Sequence, residues 1–404
     1  MDSAAEHSPS KGMSASFVLA LVVGQLGLHA VMAGVRMAAS LQTLREGYSA
    51  ALVGVLMALF AAAPVVLAWH SGRLADRHGY HFPVKLAAVC AMTGVLLACG
   101  STLLEGWPHF LVLCASAACT GAAANMGMLA IQRAAAQAAA NPTEQVRVFS
   151  WLAVAPSFAN VIGPVSAGFA IDWGGFFWAY ATLLLLPLLT LWSLKQVPHG
   201  AVRPSIQKGE SPESAWSLLR TPGLRRLLFV NWLMSTCWDV HSFAVPILGH
   251  ERGFSASTIG LILGTFTLSV TLVRLGIPFV AQHMRERVVM RYAMWGTALV
   301  FLLYPLVQTP WQMGVLAVLL GVTLGGTQPM VMVMLHHVTP DGRHGESIAF
   351  RSIAINMSST AMPLIFGLAG VAIGVGSLFW IVGGAVGAGS WLTRKLRVPE
   401  KNSA

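Results

Sequence analysis

Residues 72–79 read Gly72-Arg73-Leu74-Ala75-Asp76-Arg77-His78-Gly79, a short charged stretch between two long apolar runs, near 48–70 and 83–102. Each run matches the roughly 20 apolar residues that cross a bilayer's hydrocarbon core. Working outward, further runs fall near 14–36, 108–132, 148–171, 175–194, 227–249, 256–281, 288–307, 311–335, 348–370 and 374–393, which makes twelve in all. Of the 404 residues, 55% are hydrophobic and 10% charged, against about 25% charged in a soluble domain. The excess apolar surface must face lipid. Backbone in lipid satisfies its own hydrogen bonds, so the spans are expected to be helices. Long continuous runs do not fit the short alternating strands of a barrel.

One connection differs from the other, short ones. Residues 195–226 are polar and carry Pro198, Pro204, Pro212 and Pro222 with six Lys/Arg. They divide the spans six and six, so the expected units are a bundle over 1–195, a linker over 196–225 and a second bundle over 226–404. With a cytoplasmic N-terminus, one side of the membrane takes 20 Lys/Arg, and the other takes Arg36, Arg45 and Arg252, leaving Arg274 and Arg351 within spans. That bias predicts cytoplasmic termini. It assigns the formal charge of +10 to topology and anionic lipid rather than nucleic acid. The first run is too long for a secretory signal and is read as the first span. The five cysteines, all inside apolar stretches without ligand spacing, read as packing residues.

The two halves repeat each other. Gly47-Tyr48-Ser49-Ala50 opens the second span and Gly253-Phe254-Ser255-Ala256 the eighth, with Gly54 and Gly260 at the same offset. Pro164 and Gly168 match Pro363 and Gly367, and Asn125 matches Gln328. Parallel repeats about an axis along the membrane normal are a transporter signature, with substrate near the midplane between them.

In this setting the 72–79 stretch resembles the cytoplasmic signature of the major facilitator superfamily, Gly-x-Leu-x-Asp-Arg/Lys-x-Gly. Gly72, Leu74, Asp76, Arg77 and Gly79 occupy its five principal positions, while Tyr80-His81 stands where the family has a basic pair. The resemblance covers the whole chain. It implies an all-α membrane protein with twelve transmembrane helices in two pseudo-symmetric six-helix bundles. The glycines suit a tight turn and close helix approach, and Asp76 an attraction to a positive helix N-terminus. The family likeness implies that Asp76 latches the halves on the cytoplasmic side; Ser347 and Arg351, at the start of the eleventh span, are the partners expected here. The fifth span also resembles a pattern of proton-exchanging exporters: Gly163, Pro164 and Gly168 match, and Ala159 and Ala167 replace glycines. It suits close packing and a helix bend.

Ionisable residues inside spans are functional candidates because charge in lipid is costly. Of fifteen acids, only Asp239 falls near the middle of a span. It is the candidate proton-coupling group, with Arg274 or Arg351 as counter-charge. Gln25 and His29 lie four apart on one helical face, and an imidazole titrates near neutrality, so His29 is a second candidate. Asn125, Asn231, Trp238 and Gln328 are expected to line the substrate cavity, and Trp232 is a further candidate. Met330, Met332 and Met334 spread over different helix faces and read as packing. His336, His337 and His344 read as a solvated loop, with no metal expected.

The resulting expectation is a secondary transporter of a bacterial inner membrane, working as a monomer without cofactors, with a small organic molecule and protons as partners. Efflux by proton antiport is the first reading. Proton-coupled uptake of an organic acid, held by Arg36 or Arg274, is the alternative. An enzyme is not expected, since the chain shows no HExxH, phosphate-cradling loop or nucleophile–base set.

Overall fold

The computed structural model describes residues 14–139, 141–198, 215–280, 286–340 and 343–394, though not the side chains at 68, 69, 72, 73, 75, 76, 142, 143, 146, 215, 216, 222, 278, 280 and 345. Lys11, Arg285, most of the linker and most of the C-terminal basic tail lie outside the described residues. All regular structure among those described is helical. The helices are α1 (Ala15–Arg45), α2 (Ala50–His78), α3 (His81–Ser101), α4 (Gly106–Ala138), α5 (Pro142–Leu183) and α6 (Leu185–Leu194). After the linker come α7 (Pro222–Glu251), α8 (Ala256–Val280), α9 (Glu286–Leu303), α10 (Pro310–Gly325), α11 (Thr327–Val338), α12 (His344–Ile373) and α13 (Val375–Arg394).

Local chemistry sets many of these boundaries. Pro142, Pro222 and Pro310 occupy first-turn positions, where the missing N–H costs nothing. Asn141 caps α5 by accepting from the Glu144 N–H at 2.8 Å. Gly47 and Gly253, equivalent in the repeat, turn the chain at φ 83° and 69°. That left-handed backbone favours glycine.

Nine helical stretches among the described residues are long and apolar enough to cross a membrane. Arg147–Leu194 is one of them, and it breaks at Gly175 (φ 83°) into two passes. α10 and α11 together make another. α7, interrupted by Asn231, Asp239 and His241, and α9, which opens with Glu286, Arg287 and Arg291, are more polar than these nine. With these included, the helices fit the twelve expected passes. Large apolar side chains such as Leu111, Phe169, Leu272 and Leu368 stay exposed on the outside of the bundle, as lipid-facing residues do.

Two boundaries differ most from expectation. The first span runs on to Arg45, so Arg36 lies inside α1 and not in a loop. An internal charge reads as a span end when lipid is assumed to surround it, but this one faces the interior of the protein. α2 likewise continues through His78, so Gly72 is helical and the turn falls on Gly79 (φ 68°) and Tyr80. Tyr80 is buried in an apolar cluster with Phe17, Val84, Ile131 and Leu194. That packing accounts for the aromatic residue where the family has a basic one.

Passes alternate in direction, so the bundle has a terminal face, carrying the described chain ends, and a distal face. Three apolar clusters fill it. One combines the second half with Leu44, Val53 and Met57 of α1 and α2. Another combines the first half with Ala256 and Ile259 of α8. In both, the residues that cross over belong to distal ends. The third lies at the terminal end of the first half and includes no residue of the second. The halves therefore pack together distally and part toward the terminal face.

Candidate functional site

Along α7, Ser235, Trp238, Asp239 and Ser242 recur at helical spacing and share one face. That face meets two adjoining cavities between the halves. The smaller, about 230 Å³, is lined by His29, Met32 and Arg36 of α1, Met57, Phe60 and Pro64 of α2, Asn125 and Met128 of α4, and Asn356, Ser359 and Pro363 of α12. The larger, about 450 Å³, is lined by Pro156, Ser157 and Asn160 of α5, Ser235 of α7, Thr267 and Arg274 of α8, and Thr327 and Gln328 of α11. Trp238, Asp239 and Ser359 line both. Trp238 is held edge-on against Phe266, ring centroids 4.6 Å apart.

Asp239 is buried. Its carboxylate accepts from Ser358 Oγ at 2.6 Å and Ser359 Oγ at 3.1 Å. Ser358 Oγ also lies 3.2 Å from Thr236 Oγ1. Arg36 lines the same cavity as Asp239. The Arg36 guanidinium donates to Asn160 Oδ1 at 3.2 Å, and Asn160 is oriented by its own donation to the Pro156 carbonyl at 2.8 Å. Arg351 donates to Gln328 Oε1. Arg274 has no hydrogen bond or ion pair among the described residues, and its Nε is buried without a partner.

The residues singled out in the sequence are thus distributed unevenly. Asp239, Trp238, His29, Asn125, Arg274 and Gln328 line the cavities. The equivalent pair Asn125 and Gln328 faces different cavities. Gln25 and Asn231 line neither: both are buried, with Gln25 Oε1 and both polar atoms of Asn231 unpaired. His29 Nδ1 donates back to the Gln25 carbonyl at 3.2 Å. Trp232 packs beside Phe229 instead. His241 turns away from Asp239 to Tyr304 Oη, 3.0 Å from its Nε2. Ser347 receives a hydrogen bond from Thr339 Oγ1 at 2.9 Å, so it and Arg351 bond within the second half. The Asp76 side chain lies outside those described, Leu74 is half-buried and Arg77 is exposed. Gly163 packs on Ala30 and Gly34 of α1, whereas Pro164 and Gly168 meet α8 at Gly260 and Ala256.

Sequence reasoning missed Asn160, Ser358 and Ser359, and took Arg36 for a loop residue. The polar run Asn356-Met357-Ser358-Ser359-Thr360 inside an apolar span was the signal for the two serines. A further feature had no signal. The Asp172 carboxylate accepts from the backbone N–H groups of Ala256 at 3.0 Å and Ser257 at 2.7 Å. It caps the N-terminus of α8 from the opposite half, where the unpaired amides and helix dipole favour an anion.

A family model described as Major Facilitator Superfamily matches residues 15–238 and 227–404. Among curated proteins none matches the chain significantly. Solved structures with a similar fold include a D-xylose-proton symporter, 16% identical, with TM-score 0.74 over 96% of this chain and 98% of that one. A POT family transporter in complex with a thioalcohol conjugated peptide is 12% identical, with TM-score 0.76 over 94% and 95%. A bacterial homologue of the iron transporter ferroportin in an inward-facing state is 16% identical, with TM-score 0.72 over 95% and 99%. At these identities the likeness concerns the fold.

Proposed function

The chain belongs to the major facilitator superfamily, and we propose that it is a proton-coupled secondary transporter in which Asp239 carries the proton and the two cavities around Trp238 receive a small organic molecule. The observation that carries this reading is Asp239 itself, the one acid in the lining of either cavity. A carboxylate is expensive to hold inside a membrane protein unless it works. Ionised, it is held by Ser358 and Ser359 and answered by Arg36. Protonated, it no longer neutralises Arg36, and the electrostatic tie between α1 and α7 is lost. That change lies across the boundary between the halves, where it can bias alternating access. Arg36 is the counter-charge in this reading, in place of Arg274 or Arg351.

The basic terminal face is assigned to the cytoplasm of a bacterial cell, so the described state opens inward. Residues 1–195 and 226–404 form the two moving units, working as one monomer. When the distal face opens, Asp76 is to latch the terminal face, as Asp172 latches the distal one. Export by antiport rests on the Gly163-Pro164-Gly168 pattern, and uptake of an organic acid on the arginines of the chamber. The substrate's charge decides between them.

The test is Asp239→Asn in proteoliposomes loaded with a pH-sensitive dye and challenged with a panel of small organic molecules. Substrate-dependent proton movement should fall to background, while substrate exchange without a gradient persists. Normal proton movement in this variant would contradict the reading.

A further inference from the structure

We propose that the substrate is a small carboxylate with an apolar body, and that it moves in the same direction as the proton. This deepens the proposed function and rests on the chamber assigned there. The first observation is a charge imbalance. The titratable groups facing the chamber are His29 and Arg36 from α1, Asp239 from α7 and Arg274 from α8, with Arg351 of α12 behind Gln328. The linings from α2, α4, α5, α10 and α11 contribute none. Two guanidiniums in the lining, with a third behind it, thus stand against one carboxylate, and none of the four makes an ion pair within 4.0 Å among the described residues. Unpaired charge removed from water is strongly disfavoured, so the chamber favours an anionic guest and disfavours a cation.

The second observation is the kind of anion that fits. Arg36 presents its guanidinium from one helix, with no lysine beside it in the lining and a neutral amide, Asn160, steadying it. A planar fork matches one carboxylate. Around it lie Met32, Met57, Phe60, Met128 and Trp238. These are adaptable thioethers and flat rings suited to an apolar body of variable shape. Arg274 lies near the terminal end of α8, on the side where the halves part, and supplies a first attraction for an incoming anion.

The sign of coupling follows from the same charges. An ionised Asp239 offsets Arg36 and repels a carboxylate. A protonated Asp239 does neither, so anion and proton favour each other's binding. An amine would show the reverse sign, because it would compete with the proton for Asp239.

The experiment measures binding to the full-length protein in nanodiscs by calorimetry. The probes are matched sets: benzoate, benzamide and benzylamine; hexanoate, hexanamide and hexylamine; lactate and lactamide. The proposal expects a carboxylate to bind at least about tenfold more tightly than its amide or amine, and more tightly at about pH 5.5 than at about pH 8. Arg36→Gln should weaken that binding about tenfold or more, with partial recovery in Arg36→Lys, and Arg274→Gln should weaken it by a smaller factor. Preference for an amide or amine, the absence of carboxylate binding, or carboxylate binding untouched by both glutamine variants would overturn it. Asp239→Asn separates the two proposals. Carboxylate binding that persists without pH dependence supports both. Persistent binding that keeps its pH dependence would remove Asp239 as the proton carrier and leave the substrate class standing.

Discussion

Asp172 has no counterpart in the second half: at the offset relating the fifth and eleventh spans, Val371 takes its place. Beside the apolar packing, Asp172 therefore adds an unduplicated charged tie between the halves at the distal end, accepting from two amides of α8. The residue is exposed to solvent, so a charged hydrogen-bonded cap there stabilises the closed distal face by about 1 kcal/mol. Asp172→Ala should raise the modification rate of a Ser242→Cys reporter by an impermeant thiol reagent applied from the distal side, by roughly fivefold. An unchanged rate would remove the latch. Legibility at this scale depended on contrast. Asp239 stood out because an acid interrupts an apolar run. Arg36 was legible as a possible carboxylate holder but not as a mid-helix residue, because a cation near the end of such a run looks the same as a loop residue. Asp172 was unreadable, since its partners are backbone amides 84 and 85 residues away.

Among helices, the repeated glycines and prolines find their use in two crossings between the halves. Gly54 of α2 lies against the Pro363 carbonyl of α12, and Gly367 of α12 against Ala50 and Ala51 of α2. Gly260 of α8 lies against the Pro164 carbonyl of α5, and Gly168 of α5 against Ala256 of α8. A Cβ at Gly54 would strike a backbone carbonyl that cannot yield. The contact joins the two halves at the closed distal face, so Gly54→Ala should disfavour that state by about 1–3 kcal/mol, the usual cost of overpacking. Transport should fall about tenfold or more, while Gly100→Ala, where a Cβ meets open space, should leave it unchanged. Equal losses in both variants would indicate a general folding defect instead. The sequence offsets of 206 and 199 made these residues visible as a repeat. They could not show that each motif packs against its counterpart's partner in the other half, because that depends on how the halves face each other. Helix ends were harder still: α1 outran its expected end by nine residues because a chamber-facing arginine is tolerated where a lipid-facing one is not.

For the molecule as a whole, hydropathy was enough to foresee the passes, and the repeated residues the two halves, since lipid leaves such a chain few solutions. Which face stands open was not legible, because a single sequence must encode both states. The distribution of the apolar clusters supplies it: they are shared between halves distally and separate toward the terminal face. The central claim is that the halves rock about the chamber at Asp239. The most direct test is a pair of spin-label distances measured in a cysteine-free background in nanodiscs. One pair, Leu103→Cys with Gln308→Cys, reports the distal face; the other, His78→Cys with His337→Cys, reports the terminal face. Between about pH 5.5 and about pH 8 the account predicts opposite changes, the distal distance lengthening as the terminal one shortens or the reverse, with both changes abolished by Asp239→Asn. Distances that stay fixed, change together, or respond to pH equally in the Asp239→Asn protein would contradict it.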